Sequence, residues 1–454
     1  MNRPLIRLVL LAGLFLSVDT ALGEQQRPNI LILLADDWRA DTLGCESKIV
    51  QTPHLDALAS AGLRFTQCRV TTSICCVSRA SLFTGQHMAR HGVDRFGKRV
   101  PNWSATYPAL LRQAGYHTGF VGKYGVGKME KDDFDFARAY EGRHWLPQSG
   151  GERVHVTEQN ASDALTFLRD RPRDQPFCLS VSFFAPHAED GSPEQYLPQP
   201  WSEELYADTV IPVPRTATAE HFARLPPFLA TEKNEGRVRY HKRFATPEKY
   251  QASMKNYYRL VSEVDRAIGQ ILAELKSQQV DSETFILFTA DNGYFHGEHG
   301  LADKWYPYEE ALRVPLIVRD PKLTREQLAT TSDALALNID IAPTLLAAAG
   351  VDVPKAMQGA TLQAIYQVSE TKQSKWRDEY YYEHPVILAK DRIPRSEAVI
   401  SGSWRYIHWP DYAHEQLFDL ATDPHQERTD GVTLHPQILA RMRETLKELR
   451  AGAE

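Results

Sequence analysis

Asn29-Ile-Leu-Ile-Leu-Leu-Ala35, followed at once by Asp36-Asp37, is the stretch on which the fold is decided. Its continuous apolar run reads as a strand buried on both faces, as in a parallel sheet. Two further runs have the same form. Phe285-Ile-Leu-Phe-Thr-Ala290 ends in Asp291-Asn292, and Phe177-Cys-Leu-Ser-Val-Ser-Phe-Phe184 ends in Ala185-Pro186-His187. Polar residues therefore stand at the C-terminal ends of three buried strands, where open α/β sheets place their ligands. Helical patterns lie between them: Leu55 to Ala61, Ser78 to Phe83, Tyr107 to Ala114, Ala161 to Arg169 and Tyr250 to Lys276. In the last of these, Tyr257, Leu260, Val261, Val264, Ile268, Ile271 and Leu275 recur at helical spacing. Strands alternating with helices predict a doubly wound α/β domain.

Outward from this core the pattern changes. Residues 188–248 are rich in Pro and charge with little periodicity. They read as a long surface insertion, either a plain loop or a segment that shapes a substrate entrance. Near residue 370, Tyr380 to His384, Ala398 to Ile400 and Trp404 to His408 look like antiparallel strands, with an amphipathic helix from Pro436 to Leu449. The expected organisation is a signal segment over 1–23, a catalytic α/β domain over 24–368, and a smaller C-terminal α+β subdomain with an antiparallel sheet over 369–454. The signal reading rests on Arg3 and Arg7, the apolar run Leu8 to Val18, and the small-residue site Ala21-Leu22-Gly23. That run is too short to span a bilayer comfortably. An exported protein, periplasmic or extracellular, with no stable membrane insertion is expected.

The whole chain has 454 residues and a formal net charge of -6, which argues against non-specific nucleic-acid binding. It does not argue against a small anionic substrate, which a few local Lys and Arg can hold. The five cysteines are Cys45, Cys68, Cys75, Cys76 and Cys178. An odd number leaves at least one thiol without an intramolecular partner, and no CxxC pair suggests zinc.

Two constellations carry chemistry. Asp36, Asp37, Asp291 and Asn292 converge if their strands are neighbours, and they offer only oxygen, which suits Ca²⁺, or Mg²⁺ as second choice. The second is Thr72-Ser-Ile-Cys75-Cys76-Val77-Ser78-Arg79, closed by Thr84-Gly85. A cysteine at a helix start sits in positive potential, which favours a reactive or modified anion; buried packing is the bland reading. His87 and His91, at i and i+4, mimic a zinc pair but read as structural, and His296 and His299 read as supporting residues in a Gly-rich loop.

Here the residues resemble a known family. Cys75-x-x-Ser78-Arg79 followed by Thr84-Gly85 is similar to the signature of type I sulfatases in the alkaline-phosphatase superfamily. The likeness extends through Thr52-Pro-His-Leu-Asp56, Gly122-Lys123-Tyr124, Ala185-Pro-His187, Thr289-Ala-Asp-Asn-Gly293, Gly297-Glu-His-Gly-Leu301, Lys304 and Arg313-Val-Pro-Leu316. The resemblance implies an alkaline-phosphatase-like mixed sheet with helices on both faces. It also implies that Cys75 is oxidised to formylglycine by a formylglycine-generating enzyme. The hydrated aldehyde would attack sulfur and then expel sulfate, a covalent route in two steps. Asp36, Asp37, Asp291 and Asn292 would bind Ca²⁺ together with the group at position 75. Arg79 would hold that site, and Lys123, Lys304 and His187 would neutralise the sulfate oxygens. His187 or Lys304 would protonate the leaving oxygen.

Two positions depart from the family pattern. Val77 replaces Pro or Ala inside the signature, and Gly125 stands where many sulfatases carry the His of Gly-Lys-Trp-His. The Gly-Lys-Tyr and Cys-Cys features lean toward N-acetylglucosamine-6-sulfatases, so a sulfated carbohydrate is the expected substrate. The rival readings are a phosphodiester or phosphonate monoester hydrolase of the same superfamily, and an inactive homologue that binds sulfated glycans.

Overall fold

The buried runs become neighbouring strands. The computed structural model describes residues 27–140, 142–367 and 376–454. The expected signal segment and the expected domain boundary at 368/369 lie outside the described residues. One eight-stranded sheet is built from β1 (Asn29–Ala35), β2 (Leu63–Phe65), β3 (His117–Gly122), β4 (Phe136–Ala139), β5 (Phe177–Ser182), β6 (Thr284–Ala290), β7 (Leu316–Arg319) and β8 (Thr330–Ser332). Their order is β8-β2-β7-β6-β1-β5-β3-β4. Only β7 runs against its neighbours β2 and β6; the other pairings are parallel, so the sheet is mixed. Every residue of β5 and β6 is buried, the small hydroxyl residues Ser180, Ser182, Thr284 and Thr289 included, which is why neither shows an alternation of apolar and charged positions.

The helices are α1 (Pro53–Ser60), α2 (Cys75–Thr84), α3 (Tyr107–Gln113), α4 (Val156–Asp170), α5 (Ala219–Arg224), α6 (Glu235–Arg243), α7 (Pro247–Ser277) and α8 (Ile341–Ala348). They form two groups. Helices α1 and α4 pack on α7, and Phe167 of α4 presses on Gly119 of β3. On the opposite face, Ile32 and Leu34 of β1 meet Leu82 and Phe83 of α2, Tyr107 of α3 and Ile341 of α8. The longest helix, α7, starts at Thr246, whose side chain accepts from the Lys249 amide at 3.3 Å, with Pro247 in the first turn. Its stripe Tyr257, Leu260, Val261, Val264, Ile268, Ile271 and Leu275 is wholly buried, each aliphatic side chain contributing about 1.5–3 kcal/mol by leaving water.

The C-terminal part is a four-stranded antiparallel meander, β9 (Glu379–His384), β10 (Ser396–Ser401), β11 (Trp404–Trp409) and β12 (His414–Asp419), followed by α9 (Pro436–Ala453). Strand alternation divides its two faces. Tyr381, Val399, Tyr406 and Leu417 meet Leu439, Met442 and Leu446 of α9. Tyr380, Tyr382, Ile400 and Ile407 point the other way and share an apolar cluster with Ile74, Cys76 and Val77. Val77 is thus a core residue beneath the meander.

Three expectations need correction. The segment 188–248 is not an aperiodic surface loop: it contains α5 and α6, and Tyr196, Asn234, Arg243 and Phe244 are buried. Helix α6 has no apolar stripe. It is held by an Asn234 cap on the Arg237 amide, Glu235 in its first turn and His241, Lys242 and Arg243 in its last. The meander has a fourth strand, β12, where only a motif was read. The terminal helix runs on to Ala453. All five cysteines are free, Cys45 exposed and the others buried. Among the described residues no helix is long and apolar enough to cross a membrane.

Candidate functional site

Four adjacent parallel strands deliver the site. β6 runs in register with β1, so Ala35 faces Ala290, and the Asp291 amide donates to the Ala35 carbonyl at 3.1 Å. Asp36-Asp37 and Asp291-Asn292 therefore leave the same sheet edge side by side. On the other flank Leu34 pairs with Ser182 and Gly122 with Ser182, so β5 leads to His187 and β3 to Lys123. The Lys123 amide donates to the Ser182 carbonyl at 2.7 Å. Opposite this edge, Cys75 is the first residue of α2, 4% exposed.

The charges interlock. Lys123 Nζ pairs with Asp36 Oδ2, and Lys304 Nζ with Asp37 Oδ1. Asn292 Nδ2 donates to Asp37 Oδ1 at 2.6 Å, and the Asp37 amide donates to Asp291 Oδ1 at 3.3 Å. Arg79, one turn beyond Cys75, donates from Nε to Asp291 Oδ2 at 2.8 Å and from Nη1 to the Lys123 carbonyl at 2.6 Å and Ser182 Oγ at 2.5 Å. Its Nη2 lies 3.4 Å from Asp36 Oδ2. His187 Nδ1 bonds the Ala188 carbonyl at 2.6 Å, which leaves Nε2 3.5 Å from Asp37 Oδ2. Asp37, Asp303 and Trp305 all have left-handed backbones (φ 59, 76 and 84), a form of strain that gathers at functional sites.

The structure brings every expected site residue together: Asp36, Asp37, Cys75, Arg79, Lys123, His187, Asp291, Asn292 and Lys304. Cys75, Lys123, His187 and Lys304 line one cavity of about 510 Å³. One expectation changes. Burial pushes the Cys75 thiol up, and the Asp36 and Asp291 carboxylates add to this against Lys123 and Lys304. The helix start does not outweigh them, so the unmodified thiol is protonated and poorly nucleophilic.

The carboxylates carry more charge than they can hold comfortably. Burial raises Asp37, with Asp36 and Asp303 adding to it against Lys304; burial and Asp36 likewise raise Asp291 against Arg79. Asp36 goes the other way: burial would raise it, but Lys123, His187, Arg79 and Lys304 together hold it well below the usual carboxylate range. Burial opposes the charge on Lys123 and Lys304, yet Asp36 and Asp37 respectively hold each lysine protonated. Burial, Lys304 and Lys123 keep His187 neutral. Three buried oxygens, Asp36 Oδ1, Asp37 Oδ2 and Asn292 Oδ1, have no hydrogen-bond partner among the described residues. Asp36, Asp37 and His187 present ligand atoms within 4.8 Å of one another. An oxygen-rich set with orphaned acceptors and raised carboxyls fits a hard cation.

The segment 188–248, one reading of which is an entrance-shaping insertion, supplies the outer wall, through residues not singled out from the sequence. Asp190, Glu235 and Arg239 line the cavity, and Arg243 Nη1 donates to Asp303 Oδ2 at 2.7 Å behind Lys304. No motif marks the first three; Asp303 was signalled only by its place beside Lys304. Gly125 now has a physical reason. Its φ is +74, and a Cβ there would lie 2.7 Å from Arg79 Cδ, so the family histidine has no room. His91 is committed to Ser81 Oγ and the Val93 amide, and His296 stacks edge-on against Tyr257, whose hydroxyl donates to the Asp37 carbonyl at 2.8 Å.

Comparison with known proteins follows the same lines. A family profile described as Sulfatase matches residues 28–351, and one described as N-sulphoglucosamine sulphohydrolase, C-terminal, matches residues 297–452. An N-acetylglucosamine-6-O-sulfatase of Bacteroides thetaiotaomicron is 28% identical, over 89% of this chain and 82% of its own length. A solved protein in complex with its substrate D-glucosamine-2-N,6-O-disulfate superposes with a TM-score of 0.80 at 26% identity, over 94% of this chain and 98% of that one. A phosphonate monoester hydrolase from Silicibacter pomeroyi also has a TM-score of 0.80, at 20% identity over 94% of this chain and 96% of its own, and shares the fold.

Proposed function

The chain belongs to the sulfatase family, and on that premise we propose that it hydrolyses sulfate esters of a sulfated carbohydrate through a formylglycine made from Cys75 and a bound calcium ion. One observation carries the reading: Cys75 lies at a cavity floor between two charged lysines and a cluster of buried oxygens that lack partners. A sugar ester is supported by the relatives, an N-acetylglucosamine-6-O-sulfatase and a protein bound to a glucosamine disulfate.

Asp36, Asp37, Asp291 and Asn292 would hold the calcium ion, which when bound supplies Lewis-acid polarisation of the sulfate oxygens. A formylglycine at position 75 supplies, as its hydrate, the oxygen nucleophile that the protonated thiol does not. Lys123 and Lys304, both charged, face the cavity where sulfate oxygens would gather negative charge. Arg79 fixes Asp291 and the Lys123 carbonyl together, so it positions the nucleophile and the charge clamp as one unit. Of the two candidates for protonating the leaving oxygen, Lys304 carries a proton in this arrangement and His187 does not. The N-terminal charge pattern and small-residue site support an exported enzyme, matured by a formylglycine-generating enzyme.

The test joins chemistry and reaction. Peptide mass spectrometry across residues 70–79 is expected to find an aldehyde at position 75. Sulfate release from a panel of sulfated sugars is expected to exceed cleavage of an aryl phosphodiester, and Cys75→Ala to abolish it with the fold retained. Undiminished sulfate release by Cys75→Ala would sink the mechanism.

A further inference from the structure

Outside the sulfate-binding floor, the cavity has a second polar feature. Asp190 Oδ1 accepts from both Arg239 Nη1 and Arg243 Nη2, the latter at 2.9 Å. Among the described residues Asp190 Oδ2 accepts no hydrogen bond, and its side chain is 44% exposed. Arg239 Nε donates to Glu235 Oε1 at 2.8 Å, and among the described residues its Nη2 donates to nothing. A free acceptor and a free donor therefore stand on two side chains that are joined to each other and locked by their other atoms.

The lock has two ends. Arg239 and Glu235 lie on α6. Glu235 Oε2 pairs with Arg392, and the Glu235 amide donates to the Arg392 carbonyl at 3.1 Å. Arg392 belongs to the loop between β9 and β10, closed on itself by bonds such as the Ile393 amide to the Ala389 carbonyl at 2.9 Å. That loop carries Leu388, 67% exposed, to the cavity lip, and Phe96, 59% exposed, lines the same cavity. Exposed apolar side chains at a mouth beside fixed polar groups suit a ligand with one greasy face and a hydroxylated edge. A sugar ring is such a ligand: each hydroxyl both donates and accepts.

Resting on the sulfatase reading, we infer that Asp190 Oδ2 and Arg239 Nη2 read two neighbouring hydroxyls of the sugar that bears the ester, with Phe96 and Leu388 against its C–H face. The pair supplies specificity for the sugar and takes no part in attack on sulfur. A sulfate ester without neighbouring hydroxyls gains nothing from it.

Binding in the Cys75→Ala protein tests this apart from turnover. The probes are N-acetylglucosamine 6-sulfate and 4-nitrophenyl sulfate, titrated into the full chain and into versions that also carry Asp190→Asn or Arg239→Gln. Each added change is expected to weaken the sugar about 10- to 100-fold, as for loss of a hydrogen bond to a charged group, and the aryl ester less than threefold. An equal loss for both probes, a sugar affinity within threefold of the parent, or no binding of the sugar by the parent overturns the subsite. Sulfate release from the same sugar by the unmutated enzyme is scored separately. Its absence, with selective binding intact, rejects the sulfatase reading and leaves the hydroxyl-reading pair standing.

Discussion

Replacing Gly125 by alanine is expected to disable the site through Arg79. The added Cβ would sit 2.7 Å from Arg79 Cδ, against about 3.5–4.0 Å for an unstrained carbon contact, so one of them must yield by about 1 Å. Arg79 is 1% exposed and bonded to Asp291, the Lys123 carbonyl and Ser182, so it cannot shift without loosening one of these bonds. The backbone at φ +74 costs a non-glycine residue about 1–2 kcal/mol. Loosening one buried bond to a charged group adds about 1.5–3 kcal/mol. The total is about 2.5–5 kcal/mol of stability, and misplacement by about 1 Å lowers turnover about 100-fold. Gly97→Ala separates the two parts. Gly97 lines the same cavity at φ +77, but a Cβ there meets nothing within 4 Å, so it measures backbone strain alone. Urea unfolding of both variants, with kcat on 4-nitrophenyl sulfate, is the assay. If Gly125→Ala and Gly97→Ala lose the same stability and the same activity, the account of Arg79 as a pinned hub is refuted.

Two further outcomes follow from charge. Glu383 is buried on β9 directly opposite Glu397 of β10, and burial, with Glu397 and Glu454 adding to it against the Ala89 amide and Arg450, pushes its carboxyl up to about 7. A carboxyl raised on folding stabilises fully below its unfolded pKa of about 4.3 and loses that contribution as pH rises through 7. Glu383→Gln should therefore leave the unfolding free energy near its parent value at pH 5 and raise it by about 2–3 kcal/mol relative to the parent at pH 8; a constant difference across pH 5–8 would exclude this origin. The crowded carboxylates Asp36, Asp37 and Asp291 should make calcium stabilising: chelation is expected to lower the melting temperature and stop sulfate release, and added Ca²⁺ to restore both. A melting temperature indifferent to chelation and calcium would remove the cation from this site.

What the sequence disclosed was whatever leaves a pattern along the chain. Apolar runs ending in Asp36-Asp37, Asp291-Asn292 and Ala185-Pro-His187 announced the sheet edge, because strands buried on both faces admit no charged residue and only small hydroxyls such as Ser180 and Thr289 until they end. The period of α7 announced its buried stripe. Helix α6 left no such mark: Glu235–Arg243 is polar on all sides and stands by its cap, its end charges and its ion pairs. Its contribution of Glu235 and Arg239 to the cavity was hidden for the same reason. The protonation of Cys75 was misjudged because the sequence displays a helix start but not the depth of burial or the two carboxylates across the gap. Gly125 looked like a missing histidine until the path of Arg79 made glycine the fitting residue.

The packing of the C-terminal meander over Ile74, Cys76 and Val77 also sets a clock. Tyr382 bonds Ser73 Oγ at 2.6 Å just ahead of α2, and Cys76 and Val77 are shut away beneath the meander, while Cys75 faces only the cavity. If Cys75 is converted as proposed, an enzyme that grips the surrounding chain has to act while this stretch is still open. The strands that close it are synthesised roughly 300 residues later, which at ribosomal speeds leaves about 15–60 s. On the proposed conversion, the order of the two parts along the chain would act as a timer, leaving residues 73–77 open to modification during synthesis and, once the last sheet docks, leaving position 75 open only to what enters the cavity.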